Sequence, residues 1–204
     1  MAHIPDGILS APVLVGGAVL AVAGVAWGLR HLDDRAIPRA AILSAAFFAG
    51  SLVAIPVGPS SVHLLFGGLM GIMLGPATFA AVTVALLLQA LLFGFGGLTT
   101  LGVNVFNIAA PAVVFGLLFG RIVRTTPQPA VRAGLAAAAG GLSVLGTGGL
   151  VALSLALSSP DYTPAASVLV ATYLPLAAAE AFVSAIVVGF LARVHPEALS
   201  PITP

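Results

Sequence analysis

The sequence predicts an all-α, polytopic membrane protein with about seven transmembrane helices. Of its 204 residues, 60% are hydrophobic and 6% are charged, and the mean hydropathy is +1.18. Soluble domains are about a quarter charged, so this composition is typical of a multi-pass protein of the cell membrane. Apolar segments recur along the whole chain, and the arginines between them fit one side of a membrane.

Seven apolar segments can be assigned as helices, and six of them reach the length of about 17 or more residues that a span requires. The third is short. It is interpreted either as a tilted partial helix or as the first arm of a helical pair broken at Gly75-Pro76. The segments are residues 9–29, 40–57, 62–74, 77–95, 103–122, 133–157 and 165–194.

The arginines predict the orientation of these segments. Basic residues concentrate in cytoplasmic loops, and all seven basic residues of the chain are arginine. With seven spans they all lie in or beside loops on one side. We therefore expect the amino terminus outside and the carboxyl terminus inside. The arginines are Arg30, Arg35 and Arg39 after the first segment, Arg121, Arg124 and Arg132 after the fifth, and Arg193 at the end of the seventh.

No linker, charge run or low-complexity tract divides the sequence, so a single integral-membrane domain is expected over residues 1–204. An acidic, turn-forming segment precedes the first apolar stretch, where a cleaved signal peptide would begin with basic residues. We expect the amino terminus to be retained.

The composition also excludes several functions. Without lysine there is no phosphate-binding Walker A loop, and without cysteine there is no thiolate metal site or thiol nucleophile. A serine-nucleophile elbow and a zinc-binding helix motif are absent, so an enzyme is not expected. No basic run is long enough to bind nucleic acid. A metal would therefore be bound by nitrogen and oxygen.

Small residues recur at four-residue spacing in two rows. Such rows let helix backbones approach closely in lipid. Both rows are compatible with packing inside the protein, and the alanine row is also compatible with a surface that faces a partner subunit. The rows are Ala41, Ala45 and Ala49, and Gly67, Gly71 and Gly75.

Two of the four histidines, His3 and His63, fall on the expected outer side. An amino-terminal amine, the adjacent amides and an imidazole can surround one ion with nitrogens, in a tetragonal geometry that Cu(II) or Ni(II) favours. Residues 1–8 are thus a candidate chelating segment, with Met1, Ala2, His3 and His63 as candidate ligands. Alternatively, His63 is an interfacial histidine bonded to its own loop.

Buried amides are candidates for a supporting role. Asn104 and Asn107 are three residues apart and share a helix face, and Gln89 lies one helix earlier. Amides are poor primary ligands for Ni(II) or Co(II) but can orient a ligating imidazole. Ser61, beside His63, is grouped with them. The alternative for the asparagines is interhelical hydrogen bonding, worth about 1 kcal/mol each.

Glu180 is the only carboxylate deep in a predicted span. An unpaired buried carboxyl tends to be protonated. It is interpreted either as a late relay for the metal or for protons, or as a neutral acid that makes hydrogen bonds.

Taken together, several motifs resemble the CbiM/NikM family, the substrate-binding membrane components of energy-coupling-factor transporters for nickel and cobalt. The resemblance covers essentially the whole chain, and it implies a six-helix core with one extra amino-terminal helix. The motifs are His3-Ile-Pro-Asp-Gly7, then Pro56-Val-Gly-Pro-Ser-Ser-Val-His63 with Leu74-Gly-Pro76, and Gly102-Val-Asn-Val-Phe-Asn107.

The resemblance implies that His3 chelates the ion through its own amide and imidazole, and that His63 completes a square-planar set. Asn104 and Asn107 would line or support the pocket. Nickel or cobalt is then the transported substrate, not a cofactor. The family usually begins Met-His, whereas this chain begins Met1-Ala2-His3. Excision of Met1 would restore histidine to second place; if Met1 stays, His63 becomes apical or redundant.

The resemblance also implies partners: a transmembrane coupling subunit, which would dock on the alanine row, and a pair of ATPase subunits. It further allows a small accessory membrane subunit. The alternative function is a self-sufficient divalent metal channel or carrier. The absence of a continuous polar pathway through the predicted spans argues against that alternative.

Overall fold

The computed structural model describes residues 3–34, 36–53, 55–57 and 60–199, with backbone alone for residues 55–57, 60–62, 165–167 and 170. The described residues form seven α-helices, three short 3-10 helices and one two-stranded hairpin. The helices are α1 Ala11–Leu29, α2 Ala36–Ser51, α3 Gly67–Leu74, α4 Thr78–Phe93, α5 Leu101–Thr125, α6 Pro129–Ser158 and α7 Thr163–Val194.

This architecture confirms the helical membrane fold. By length and composition, five helical stretches of the described residues are long and apolar enough to cross a membrane; one of them counts α3 and α4 together, although the chain reverses at the 3-10 turn between them. Helix α2 is apolar but has 16 residues, which is short for a span. The five stretches are Ala11–Leu29, Gly67–Phe93, Leu101–Thr125, Pro129–Ser158 and Ala171–Val194.

The predicted boundaries were wrong between the second and third segments. Helix α2 ends at Ser51, and the chain then forms the hairpin β1 Ile55–Val57 and β2 Ser60–Val62, paired antiparallel. Pro56 explains the early end, because proline lacks the N–H that a helix needs and disfavours helical geometry in the residue before it. The hairpin leads directly into His63.

The third segment is the first arm of a broken helical pair. Helix α3 has eight residues, about 12 Å of rise, so it cannot span a bilayer alone. It begins against Ala112 in the middle of α5, and at its other end the carbonyl of Ile72 accepts a hydrogen bond from Arg124. A 3-10 turn at Gly75–Ala77 follows, with Gly75 at φ +54°. Helix α4 then returns to the level of His3, which lies against Gly96.

The glycine row of α3 serves packing inside the protein. All eight residues of α3 are buried. A Cβ at Gly71 would lie 1.9 Å from the backbone oxygen of Ala112, and one at Gly68, next to the row, would lie 2.4 Å from the backbone of Gly140. Helices α5 and α6 therefore contact α3 backbone to backbone, which fixes the half-length helix at the centre of the bundle.

The two ends of the bundle differ in charge. At one end the amino-terminal segment meets the loop between α4 and α5 and the end of α6, where the N–H of Ser10 donates to Ser158. At the other end Arg39 donates to the carbonyls of Met73 and Glu197. Arg30, Arg121, Arg124, Arg132 and Arg193 also lie at or beside helix ends remote from His3; Arg35 lies outside the described residues.

Candidate metal centre

The amino-terminal segment enters the bundle and is held there by Asn104 at the start of α5. The side-chain oxygen of Asn104 accepts from the N–H of Ile4 at 3.0 Å, and its amide donates to the carbonyl of Ile4 at 3.0 Å. The hydroxyl of Thr100 donates to the same carbonyl at 2.8 Å. Both backbone groups of Ile4 are thus fixed, and with them the position of His3.

Asp6 joins the same segment to the loop between α4 and α5. One carboxylate oxygen accepts from the hydroxyl of Thr99 at 2.5 Å, from its N–H at 3.0 Å and from the N–H of Thr100 at 3.2 Å. The hydrogen bond from the Thr99 side chain, with the backbone bonds, lowers the pKa of Asp6 below its ordinary value. The carboxylate thereby holds the loop between α4 and α5.

His3 and His63, 60 residues apart in sequence, meet inside this enclosure. Their Nε2 atoms are 3.2 Å apart, and both residues are buried, at 5% and 4% exposure. Two nitrogens that ligate one first-row ion at about 2.0–2.1 Å lie about 2.9 Å apart in a square-planar site and about 3.4 Å apart in a tetrahedral one. The observed separation therefore brings the two rings within reach of a single ion.

The proton positions on the two rings follow from their partners. His63 Nδ1 lies 3.0 Å from the carbonyl oxygen of Leu64. Because a carbonyl can only accept, Nδ1 carries the proton and Nε2 of the neutral ring is left with a lone pair. His3 Nδ1 is buried without a hydrogen-bond partner. A chelate through the amide of His3 would use this nitrogen, so in that chelate the Nε2–Nε2 contact brings the two rings together but is not the distance between two ligand atoms.

Burial keeps both imidazoles neutral. Desolvation, followed by the proximity of His63, lowers the pKa of His3 to about 3. Desolvation also lowers the pKa of His63 below its ordinary value. A metal needs the unprotonated nitrogen. The two rings are therefore ready to bind an ion at neutral pH without first losing a proton.

Gln89 of α4 is a second unsatisfied group at this place. It is fully buried, and neither its amide oxygen nor its amide nitrogen makes a hydrogen bond of normal geometry. Its side chain nevertheless lies close enough to His3 to interact with the imidazole. An orphaned buried amide costs about 1–3 kcal/mol. A bound ion with a coordinated water would remove that cost, which is consistent with the predicted pocket role of Gln89.

The structure places the two asparagines in different roles. Neither Asn104 nor Asn107 makes a hydrogen bond to an imidazole among the described contacts. Asn104 holds the backbone next to His3, whereas Asn107 donates to the hydroxyl of Ser154 at 3.2 Å. Asn107 thus makes the interhelical bond that was its alternative. The reason is geometric: the entering segment meets α5 at the level of Asn104, one turn before Asn107.

Among the described residues, the two histidines are not accompanied by a third His, Cys, Asp or Glu ligand. No group of three or more His, Cys, Asp or Glu side chains able to hold a metal occurs among the described residues. Further donors would have to be backbone nitrogens, amides or water. The predicted ligands Met1 and Ala2 and the side chain of Ser61 lie outside the described residues, so their roles stay predictions.

Glu180 of α7 lies next to this centre, in a place that the sequence did not predict. It is fully buried, and its Oε1 accepts from the N–H groups of Leu65 and Phe66, the latter at 2.8 Å. Both donors follow His63 closely in the chain. The other carboxyl oxygen, Oε2, is buried without a partner.

The alanine row lies on the exposed face of α2. Ala41, Ala45 and Ala49 are exposed, whereas Ala40, Leu43 and Phe47 on the opposite face are buried. Ala41 and Ala45 line an apolar groove between α2 and α4, together with Ala80, Val84 and Leu88. The row is thus free of packing inside the chain, which distinguishes it from the glycine row.

Comparison with known proteins gives a consistent result. Residues 3–198 match the family model CbiM, described as a cobalt uptake substrate-specific transmembrane region. A putative metal transport protein of Haemophilus influenzae is 39% identical over 97% of both chains. The fused nickel transport protein NikMN of Rhodobacter capsulatus is 34% identical over 98% of this chain and 64% of its own length.

The fold is also found among solved structures. The crystal structure of a transition metal transporter matches with a TM-score of 0.71 and 27% sequence identity, covering 94% of this chain and 93% of that chain. The bundle described above is therefore a fold that a metal transporter adopts.

Proposed function

Since this chain belongs to the CbiM family of cobalt and nickel transport proteins, we propose that it is the substrate-capture subunit of an energy-coupling-factor importer. In this role it takes Ni(II) or Co(II) from the outer side, through His3, His63 and the nitrogens of the amino terminus. The family is one of transporters, and the chain is not an enzyme.

The observation that supports this proposal is the buried pair of neutral histidines with Nε2 atoms 3.2 Å apart. Neutral nitrogen donors suit nickel and cobalt, whereas magnesium and calcium prefer oxygen ligands. The nearby carboxylate of Asp6 is already occupied by Thr99 and Thr100. A flat set of four nitrogens would favour Ni(II) over Co(II).

The proposal includes partners because a buried, apolar helix lies between the centre and the opposite end of the bundle. Helix α3 lies between the histidines and the arginine-bearing end, and all of its residues are buried. The apolar side chains of Leu65, Met70 and Leu74 are buried there as well. A channel would need polar groups along its path. We propose that a coupling subunit and ATPases move this bundle to release the ion, since the chain lacks the lysine of an ATP-binding loop.

The function is tested by metal uptake in cells that express the chain with its associated subunits. Uptake of Ni(II) or Co(II) should fall to the background when the ATPase is inactivated by a substitution in its phosphate-binding loop. The chain purified from the same cells should still bind the metal. Uptake that continues without an active ATPase would instead support the self-sufficient channel or carrier.

The proposed orientation places the centre outside and the arginine-bearing end inside. Reporter fusions after Leu101, at the start of α5, and after Pro127, beyond its end, should therefore report opposite sides, the first outside and the second inside. The reason is that α5 crosses the membrane once and ends at Arg121 and Arg124. If both fusions report the same side, α5 does not span and the topology is wrong.

The proposed docking surface is the alanine row of α2. Ala45→Leu should weaken copurification with a coupling subunit, because a leucine would hold an approaching helix away from the groove. Metal binding should stay nearly unchanged, since Ala45 lies on the exposed face of α2. Ala46→Leu is the matched control: Ala46 is also exposed on α2 but does not line the groove. Equal copurification of both variants would count against the docking role.

A further inference from the structure

One peptide unit beside the metal centre is held at both of its polar ends. The carbonyl of Leu64 accepts from Nδ1 of His63 at 3.0 Å, and the N–H of Leu65, in the same peptide unit, donates to Oε1 of Glu180. A peptide unit is planar, so its carbonyl and N–H directions are fixed together. The carboxyl group that fixes the N–H therefore also fixes the acceptor of the His63 ring.

The backbone after this peptide needs such support. Phe66 has φ +52°, a left-handed conformation that is costly for a bulky residue. Its N–H donates to the same oxygen of Glu180 at 2.8 Å. Phe66 directly precedes α3, where N–H groups have no partner within the helix. Without an acceptor from α7, one buried and one partly buried N–H group would be unsatisfied, and this strained turn would be free to relax.

We propose that Glu180 is a positioning residue for metal capture, which orients His63 through the Leu64–Leu65 peptide so that Nε2 faces His3. This inference rests on the proposed function. Histidine ligands generally hold their second ring nitrogen on an acceptor that sets the tautomer and direction of the ring. Here that acceptor is a carbonyl, and its own orientation is fixed by a carboxyl group on another helix.

This role differs from that of a relay. A relay needs a group that gains and loses a proton or binds the ion, and Glu180→Gln would remove that chemistry. Positioning needs only an acceptor oxygen at the same reach, which the amide of glutamine retains. Glutamine therefore serves as the conservative variant that should rescue, and methionine as a variant of similar length without a strong acceptor.

The experiment measures Ni(II) affinity of the purified chain by calorimetry for Glu180→Gln, Glu180→Met and Ser184→Ala. Glu180→Met should bind about 10–100-fold more weakly, the usual loss when the partner of a metal ligand is removed. Glu180→Gln should recover most of that loss. Ser184→Ala is the matched control and should bind like the parent chain, because Ser184 is equally buried one turn away and its hydroxyl has no partner.

A second measurement reports on the ring itself. Nitrogen NMR of the metal-free chain should show His63 as a single Nδ1–H tautomer in the parent and in Glu180→Gln, and as a mixture in Glu180→Met. If Glu180→Met does not fold, Glu180→Asp replaces it: its carboxyl is one methylene too short, so it should bind more weakly than Glu180→Gln.

Several results would overturn the proposal. Equal affinities across the series would do so, as would an equal loss in Glu180→Gln and Glu180→Met, or an unchanged tautomer in the weakened variants. These outcomes are distinct from failure of the proposed function, in which the parent chain itself binds no nickel. If the parent chain binds nickel and all Glu180 variants bind it with the same affinity, only the positioning role of Glu180 is excluded.

Discussion

With Ala2 as the mature first residue, His63→Ala is expected to weaken Ni(II) binding by at least about 100-fold, and His3→Ala by a similar factor. Loss of a ligand should cost more than the 10–100-fold that follows loss of a ligand's own partner. The centre has no thiolate, and no third His, Cys, Asp or Glu among the described residues could replace the lost imidazole. Calorimetric titration of each purified variant with Ni(II) and Co(II) measures the effect.

The matched control for this experiment is His195→Ala. His195 is an exposed histidine at the opposite end of the bundle, paired with Glu197 at 2.8 Å, and its loss should leave binding unchanged. The double variant His3→Ala/His63→Ala provides a further check. If both rings hold one ion, its loss of affinity should be much smaller than the sum of the two single losses in free energy. Additive losses would indicate two separate sites.

The features of the fold that could be predicted from the sequence are those set by local composition. Each apolar segment becomes a helix because the bilayer requires internal hydrogen bonding of the backbone. The break at Gly75-Pro76 was likewise visible, since the chain reverses there through a 3-10 turn. The end of α2 was misplaced because apolar residues continue past Ser51, although Pro56 signalled that a helix could not.

The candidate centre was predictable only in part. His3 and His63 could be paired because both fall on the same expected side, and the structure brings their rings together. The contacts that hold them could not be predicted. Asn104 binds the backbone of Ile4 from 100 residues away, and Glu180 binds that of Leu65 from 115 residues away. Such contacts depend on how helices pack, which no local pattern encodes.

Asp6 and Thr100 show the same limit. The turn-like composition of the amino-terminal segment was apparent, but not that Asp6 would accept from Thr99 and Thr100. The only available signal was a carboxylate in an otherwise apolar chain, which predicts a partner without naming it. Gly97 completes this contact, since a Cβ there would lie 1.9 Å from the Asp6 carboxylate. A side chain at position 97 would clash with Asp6, so glycine is needed where the amino-terminal segment contacts this loop.

An extension of a few residues before Met1 is expected to remove tight Ni(II) binding, by at least about 100-fold, while His3 and His63 remain intact. We propose that the terminal amine is one of four nitrogen ligands, and an extension converts it into an amide and moves the new amine away. Asn104 fixes both backbone groups of Ile4, and with them the position of His3, which an extension before Met1 would leave in place. Acetylation of the amine should have the same effect, since it removes the lone pair that closes the chelate.

The control is a chain that carries the same extension after Pro204, at the opposite end, and it should bind Ni(II) like the parent.

Mass spectrometry of the purified protein first establishes whether Met1 or Ala2 is the mature first residue. If Ala2 is first, the four nitrogens are the amine, the amide and the imidazole of His3, and the imidazole of His63. His63→Ala should then weaken Ni(II) binding severely. If Met1 is first, residues 1–3 supply four nitrogens alone and His63→Ala should be mild. Unchanged tight binding by the amino-terminally extended chain would exclude the amine as a ligand, and the site would then have to be built from His3, His63 and Gln89.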